Sequence, residues 1–161
     1  SDLSAVPGLV LGQSEVNLLE MTGAYAVFDQ KGKRNPPHGI VRILDGGDCE
    51  NADDPETCRV IYEAKNDPQR TVISPQTAQT MTQWLQSVIQ TGTGKAAQIR
   101  EPAAGKTGTT DEAADLWFIG YLPRQEITTG IWLGNDLPTP TQGSSSQAAQ
   151  LWGNYMGSIN P

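Results

Sequence analysis

The 161 residues carry 11 lysines and arginines against 18 aspartates and glutamates, a formal net charge of -7, with 37% hydrophobic residues and two cysteines. That length suits one ordinary domain, and the acidic surplus repels phosphate backbones and anionic lipid, so nucleic acid is not an expected partner. No apolar run approaches the ~20 residues of a bilayer crossing, so no membrane contact by this segment is expected.

Residues 15–28 place Val16, Leu19, Ala24 and Val27 near helical spacing behind Ser14, a candidate N-cap, and predict a helix. The glycine-containing stretch that ends in Pro36-Pro37 cannot continue it. Two extended runs, residues 38–44 and 59–64, then read as a β-hairpin. They are joined by a polar loop that Cys49 and Cys58 bracket, with turn chemistry at Asp53-Asp54-Pro55. A disulfide closing that loop is expected, with two free thiols as the alternative. It would contribute about 2 to 3 kcal/mol by the chain-entropy model and would indicate an oxidising compartment. Two cysteines and the single His38 are too few ligands for a zinc site, so no metal is expected.

Ser74-Pro75 supplies an N-cap followed by proline at the first helical position, and Ala78, Met81, Leu85, Val88 and Ile89 recur on one face until Gly92. This predicts a helix whose stripe faces the core. From Ala103 onward the pattern changes to three extended segments, residues 103–110, 115–122 and 127–134. The proline-led turn Pro123-Arg124-Gln125-Glu126 makes the last two antiparallel neighbours. Leu116-Trp117-Phe118-Ile119 and Ile131-Trp132-Leu133 are too continuously apolar for a sheet with one wet face, so helices should cover both. A polar loop over residues 139–146 leads to a last helix, residues 145–156, with Ala148, Leu151, Trp152 and Tyr155 on its packed side. The expected class is α/β in the α+β sense, an antiparallel sheet covered by helices.

The stretch with most chemistry is Ala104-Gly105-Lys106-Thr107-Gly108-Thr109-Thr110, an ammonium and three hydroxyls on an extended strand. A phosphate-loop reading fails on spacing, because the earlier glycine it needs falls on Arg100, and because a strand rather than a helix follows the lysine. A second reading is the Lys-Thr-Gly strand of serine acyl-transfer enzymes that react with penicillin. An edge strand can pair with an extended peptide through its main chain, and glycine removes the side chain that would block approach. An ordinary polar edge strand is the bland alternative for the bare tripeptide.

Around this strand the sequence resembles class A high-molecular-weight penicillin-binding proteins along nearly its whole length. The resemblance runs through Leu11-Gly12-Gln13-Ser14-Glu15-Val16, Leu19-Glu20-Met21, Tyr25-Ala26, Pro37-His38-Gly39-Ile40, Ser74-Pro75-Gln76-Thr77-Ala78 and Thr91-Gly92-Thr93-Gly94-Lys95-Ala96-Ala97. Beyond the Lys-Thr-Gly strand it continues through Asp115-Leu116-Trp117-Phe118-Ile119-Gly120-Tyr121 and Gly130-Ile131-Trp132-Leu133-Gly134-Asn135-Asp136. It implies the C-terminal half of a transpeptidase domain with a partial penicillin-binding, β-lactamase-like α/β/α fold. The segment would be one part-domain, residues 1–161, with a hairpin insertion at about 38–64.

The resemblance also implies a function: a peptidoglycan D,D-transpeptidase that cross-links stem peptides by serine acyl transfer and is the target of β-lactams, with no cofactor. It implies an extracytoplasmic site of action, a parent protein anchored in the plasma membrane, and a preceding glycosyltransferase domain. Lys106 would set the electrostatics of the site and bind the terminal carboxylate, with hydroxyls from Thr107 and Thr109. Gly108 would keep the strand's face open, and the Thr109 N–H would be one oxyanion donor, commonly worth about 3 kcal/mol in the transition state. Lys106 and Thr109 are therefore the expected catalytic groups, and Lys106, Thr107, Gly108 and Thr109 the expected substrate-binding ones.

The sequence departs from the family in one respect. No serine has a lysine three residues later, and the only Ser-x-Asn, Ser158-Ile159-Asn160, follows the Lys-Thr-Gly strand where the family places it before. The resemblance puts both missing motifs upstream, so the expected partner is the upstream half of the same domain, and the isolated chain should be inactive with exposed sheet edges. A non-catalytic module holding cell-wall peptide or a regulator is the alternative. A β-lactamase or drug sensor fits the Tyr25-Ala26 and Gly134-Asn135-Asp136 surroundings less well. His38, Glu15, Glu20 and Asp115 have no pair or motif that would make them bases.

Overall fold

The computed structural model describes Leu3, residues 5–64 and residues 69–159. In chain order these form a 3-10 turn Pro7–Leu11, helix α1 (Leu18–Asp29), and strands β1 (Lys33–Arg34), β2 (Arg42–Cys49), β3 (Cys58–Glu63) and β4 (Arg70–Thr71). Helix α2 (Pro75–Thr91), a 3-10 turn Lys95–Ala97, strands β5 (Ala104–Thr109), β6 (Leu116–Leu122) and β7 (Ile127–Leu133), and helix α3 (Ser145–Ile159) follow. The chain divides into two compact units, Ser1–Arg34 with Arg70–Pro161, and Asn35–Gln69.

In the larger unit β5, β6 and β7 form an antiparallel sheet in that order, with Lys106 opposite Ile119, Gly108 opposite Trp117 and Ile119 opposite Gly130. Strand alternation puts Ala104, Lys106 and Gly108 on one face and Gly105, Thr107 and Thr109 on the other. Helix α1 lies over the first face so closely that a Cβ on Gly130 would stand 2.3 Å from Thr22 Oγ1. Helix α2 flanks the same face: Leu85, Ala104 and Tyr121 form a buried cluster with Tyr25 and Phe28 against it, and the Tyr121 hydroxyl bonds Thr82 Oγ1 at 2.8 Å. Helix α3 covers the second face, where the Trp152 ring lies 5.4 Å from that of Phe118 and its Nε1 donates to the Thr129 carbonyl at 3.1 Å. Leu116, Phe118, Ile119, Tyr121 and Leu122 of β6 are all buried. The two-sided cover expected from continuous apolarity is the arrangement found.

Helix α2 starts and stops where its signals stand. Ser74 Oγ accepts the Thr77 N–H at 3.0 Å, Pro75 leads, and the Gly92 N–H returns to the Val88 carbonyl. Helix α1 differs from expectation: it begins at Leu18, and its cap is Asn17 rather than Ser14. Asn17 Oδ1 accepts the Glu20 N–H at 2.9 Å while Glu20 reaches back to the Asn17 N–H, a capping box that outcompetes a bare serine. Helix α3 runs three residues further than expected and buries Ala148 and Trp152 of the expected side but not Leu151 and Tyr155. Ala148, Ala149, Trp152, Gly153 and Met156 are buried, while Leu151 and Tyr155 are about half exposed. Close backbone approach sets that choice, since a Cβ on Gly153 would stand 3.2 Å from Ala97 Cα. Lys33 and Arg34 pair with Thr71 and Arg70, a two-residue ladder with no sequence signal of its own.

In the smaller unit β2 and β3 pair antiparallel, and Cys49 and Cys58 form the expected disulfide. The first strand starts at Arg42 rather than His38, because Pro36, Pro37 and Gly39 favour irregular backbone there, and His38 is exposed outside the ladder. Between Asp45, opposite Arg59, and Cys49, opposite Cys58, residues 46–48 have no partners in the register. Arg59 bonds both Asp45 and Asp48 across this irregularity, and Arg42 forks onto Glu56. Among the described residues no helix is long and apolar enough to cross a membrane.

Candidate functional site

Strand β5 is at the edge of its sheet and pairs only with β6 among the described residues, so its other edge has no strand partner there. A cleft of ≈ 550 Å³ runs along Lys106 to Thr110. Trp117 and Ile119 of β6 form its floor, and Gln13 to Val16 with Met21 and Tyr25 of α1 form the facing wall. All five residues of the Lys106 to Thr110 run line it, so the predicted site residues Lys106, Thr107, Gly108 and Thr109 share one cavity. Alternation still sets them apart, with Lys106 and Gly108 on the α1 side of the strand and Thr107 and Thr109 on the α3 side.

Lys106 is exposed, and its Nζ donates to the Thr107 carbonyl at 2.8 Å. Gly108 leaves the Trp117 ring bare toward the cleft, where a Cβ would stand 3.2 Å from Trp117 Cβ. Gly105 is glycine for a different reason: a side chain there would meet Phe118 Cζ at 2.7 Å and the Ile119 carbonyl at 2.8 Å. Thr107 is nearly buried, at 9% exposure, and its Oγ1 lies 2.7 Å from Thr93 Oγ1. Thr109 is exposed near the strand's end.

Thr93 has no role that its sequence motif assigns. It sits in the turn after α2 between Gly92 and Gly94, whose N–H groups both donate to the Val88 carbonyl, at 3.0 and 3.1 Å. The available signal was a threonine between two glycines directly after a helix end, and its partner 14 residues away is fixed only by tertiary packing.

Asp115 closes the loop between β5 and β6. It exchanges bonds with Thr110 through both main chain and side chain, and its Oδ1 accepts the Trp132 indole N–H at 2.8 Å. Inside that loop Glu112 and Ala113 have φ of 57° and 56°, a left-handed pair next to the strand that carries the site. On the facing wall, burial raises the Tyr25 hydroxyl above its ordinary value. Behind it Tyr121 is pushed up to about 12 by burial, against the Thr82 hydrogen bond, so both phenols stay neutral at pH 7. What the arrangement offers a ligand is a cation, hydroxyls and an open main-chain edge.

Residues 8–157 match the family model described as the penicillin binding protein transpeptidase domain. The chain is similar to penicillin-binding protein 1A of Clostridium acetobutylicum, 34% identical over 99% of this chain and 18% of that protein. It is also similar to penicillin-binding protein 4 of Bacillus subtilis, 33% identical over 83% of this chain and 19% of that protein. The chain thus spans about a fifth of the length of these relatives. Among solved structures, penicillin-binding protein 1A from Haemophilus influenzae superposes with a TM-score of 0.74 at 23% identity, covering 98% of this chain and 29% of that one. PonA1 from Mycobacterium tuberculosis gives 0.68 at 24% identity, covering 93% and 41%. With a layered helix and antiparallel-sheet fold like theirs and a family match over nearly its whole length, the chain belongs to the penicillin-binding protein transpeptidase domain family.

Proposed function

We propose that this segment is the substrate-strand half of a peptidoglycan D,D-transpeptidase. A serine supplied by chain outside these residues attacks the D-Ala-D-Ala end of a stem peptide, releases D-alanine, and passes the acyl group to the amine of another stem. β-Lactams occupy the same cleft as mimics of that dipeptide. The observation that carries this reading is the Lys106-Thr107-Gly108 run on an open sheet edge bordering a cleft of ≈ 550 Å³.

In this reading the stem peptide adds to the free edge of β5 by main-chain hydrogen bonds. Lys106 exchanges its neutral carbonyl acceptor for the ligand carboxylate, a stronger partner because the bond becomes one between opposite charges. Thr107 and Thr109 add hydroxyl donors, and the Thr109 N–H is one half of the oxyanion hole. The sequence's lack of any Ser-x-x-Lys and the small share of each relative that the chain covers support a nucleophile from outside residues 1–161. The separate compactness of Asn35–Gln69 supports a hairpin inserted into one transpeptidase domain. The disulfide supports action outside the cytoplasm, and anchoring of the parent in the plasma membrane is part of the same proposal.

A fluorescent penicillin tests the reading. It should label the full-length natural protein covalently and leave the isolated residues 1–161 unlabelled, and Lys106→Ala in the full-length protein should slow labelling at least tenfold. Stoichiometric labelling of the isolated chain would overturn the half-domain account. Non-covalent peptide binding without labelling of the full-length protein would favour a binding module instead.

A further inference from the structure

We propose that Thr93 is a positioning residue for the same site, donating its hydroxyl proton to Thr107 and thereby committing the Thr107 proton to the ligand carboxylate. This rests on the transpeptidase reading above and adds a residue that the reading does not contain.

Each threonine hydroxyl has a single proton and can accept others. At 2.7 Å, Thr93 Oγ1 and Thr107 Oγ1 share one proton between them, and with no ligand either can be its source. A carboxylate only accepts, so a Thr107 that bonds it must spend its own proton there. Thr107 then has none for Thr93, and two oxygens at that distance without a proton between them repel. The pair is therefore favourable with an anion bound only if Thr93 donates. Accepting that bond also polarises the Thr107 hydroxyl and strengthens it as a donor.

The surroundings hold Thr93 where this works. Gly92 and Gly94 on either side of it both donate to the Val88 carbonyl, so the turn is anchored to the end of α2. Gly94 is packed so closely that a Cβ would stand 3.3 Å from both Phe118 Cε2 and Val88 Cγ1. Phe118 is the residue opposite Thr107 in the β5–β6 register, so one ring locks the turn and backs the strand. Thr107 lines the cleft while Thr93 does not, and Thr93 therefore acts through its neighbour.

The test uses the full-length protein and the second-order rate of acylation by a penicillin and by its methyl ester, which lacks the carboxylate charge. Thr93→Val should slow the free acid by up to about tenfold, the upper end for one neutral hydrogen bond, and leave the ester unchanged. Thr93→Ser, which restores the hydroxyl, should recover the wild-type rate. In a Thr107→Val background, Thr93→Val should have no further effect. Equal slowing of acid and ester, or an undiminished effect in the Thr107→Val background, would overturn the proposal by showing a general structural role. If Thr93→Val does not fold, Thr93→Ala at this exposed position carries the same comparisons. Failure of the wild-type protein to acylate at all is a different result and sinks the transpeptidase reading instead.

Discussion

Asp29 is the least comfortable side chain in the larger unit. It is 5% exposed, Thr128 donates to its Oδ2 at 3.0 Å, and its Oδ1 is buried with no hydrogen-bond partner among the described residues. Burial raises its pKa from 3.8 to about 6, the Thr128 bond opposes that, and nearby Glu126 adds to it. A raised folded-state pKa means that the native state holds its proton more tightly than the unfolded chain does. The contribution to stability is thus complete below about pH 4 and is lost as pH rises through about 6. Asp29→Asn removes the charge and keeps an acceptor for Thr128, so the variant should be more stable than wild type at pH 7 and indistinguishable from it near pH 4. Urea unfolding at the two pH values checks this, and a difference of the same size at both would show that Asp29 does not titrate in the range stated. Nothing in the sequence marked Asp29, because its burial comes from β7, which meets α1 only in the fold. Lys106 and Gly108 were legible for the opposite reason: strand alternation fixes their common face once the strand is recognised.

Helix termini separate what local chemistry decides from what packing decides. Both Ser14 and Asn17 can cap, and only Asn17 has Glu20 three residues on to complete the reciprocal pair. Asn17→Ala should cost about 1 kcal/mol of stability, whereas Ser14→Ala should fall within about 0.5 kcal/mol of wild type. Denaturant midpoints for the two variants decide the matter, and the reverse order would mean that the helix starts at the serine. Helix α2 was legible because cap, proline, stripe and stop all agree. The inward side of α3 was legible only in part: Ala148 and Trp152 are buried as expected, but ranking by hydrophobicity also selects Leu151 and Tyr155, while the backbone of the Lys95–Ala97 turn admits only a small residue at Gly153. The β1–β4 ladder is illegible in principle, since two residues on each side carry no periodicity and their pairing joins positions far apart in the chain.

Across the larger unit, two-sided burial of β6 could be read from its unbroken apolar run, but apolarity alone does not say how many strands share that burial. Three do, which leaves β5 and β7 as edges among the described residues. Apolar surface is left open as well. Val10 is 92% exposed, Leu11 90% and Leu19 62%, and a separate hollow of ≈ 330 Å³ has Leu9, Val16, Met21 and Ala24 in its walls. Single exposed apolar side chains are ordinary, whereas several of them in one short stretch, together with an apolar-walled hollow, form the kind of surface through which chains associate. Residues 1–161 alone should therefore bind a hydrophobic dye and self-associate at micromolar concentration, and the full-length protein should do neither to the same degree. Leu11→Glu discriminates surface from stability: at 90% exposure the side chain contributes almost no burial, so the variant should melt with wild type and yet associate less. An isolated chain that stays monomeric and dark to the dye would mean that the open face is satisfied by solvent. The proposal of an upstream half would then rest on the missing nucleophile alone.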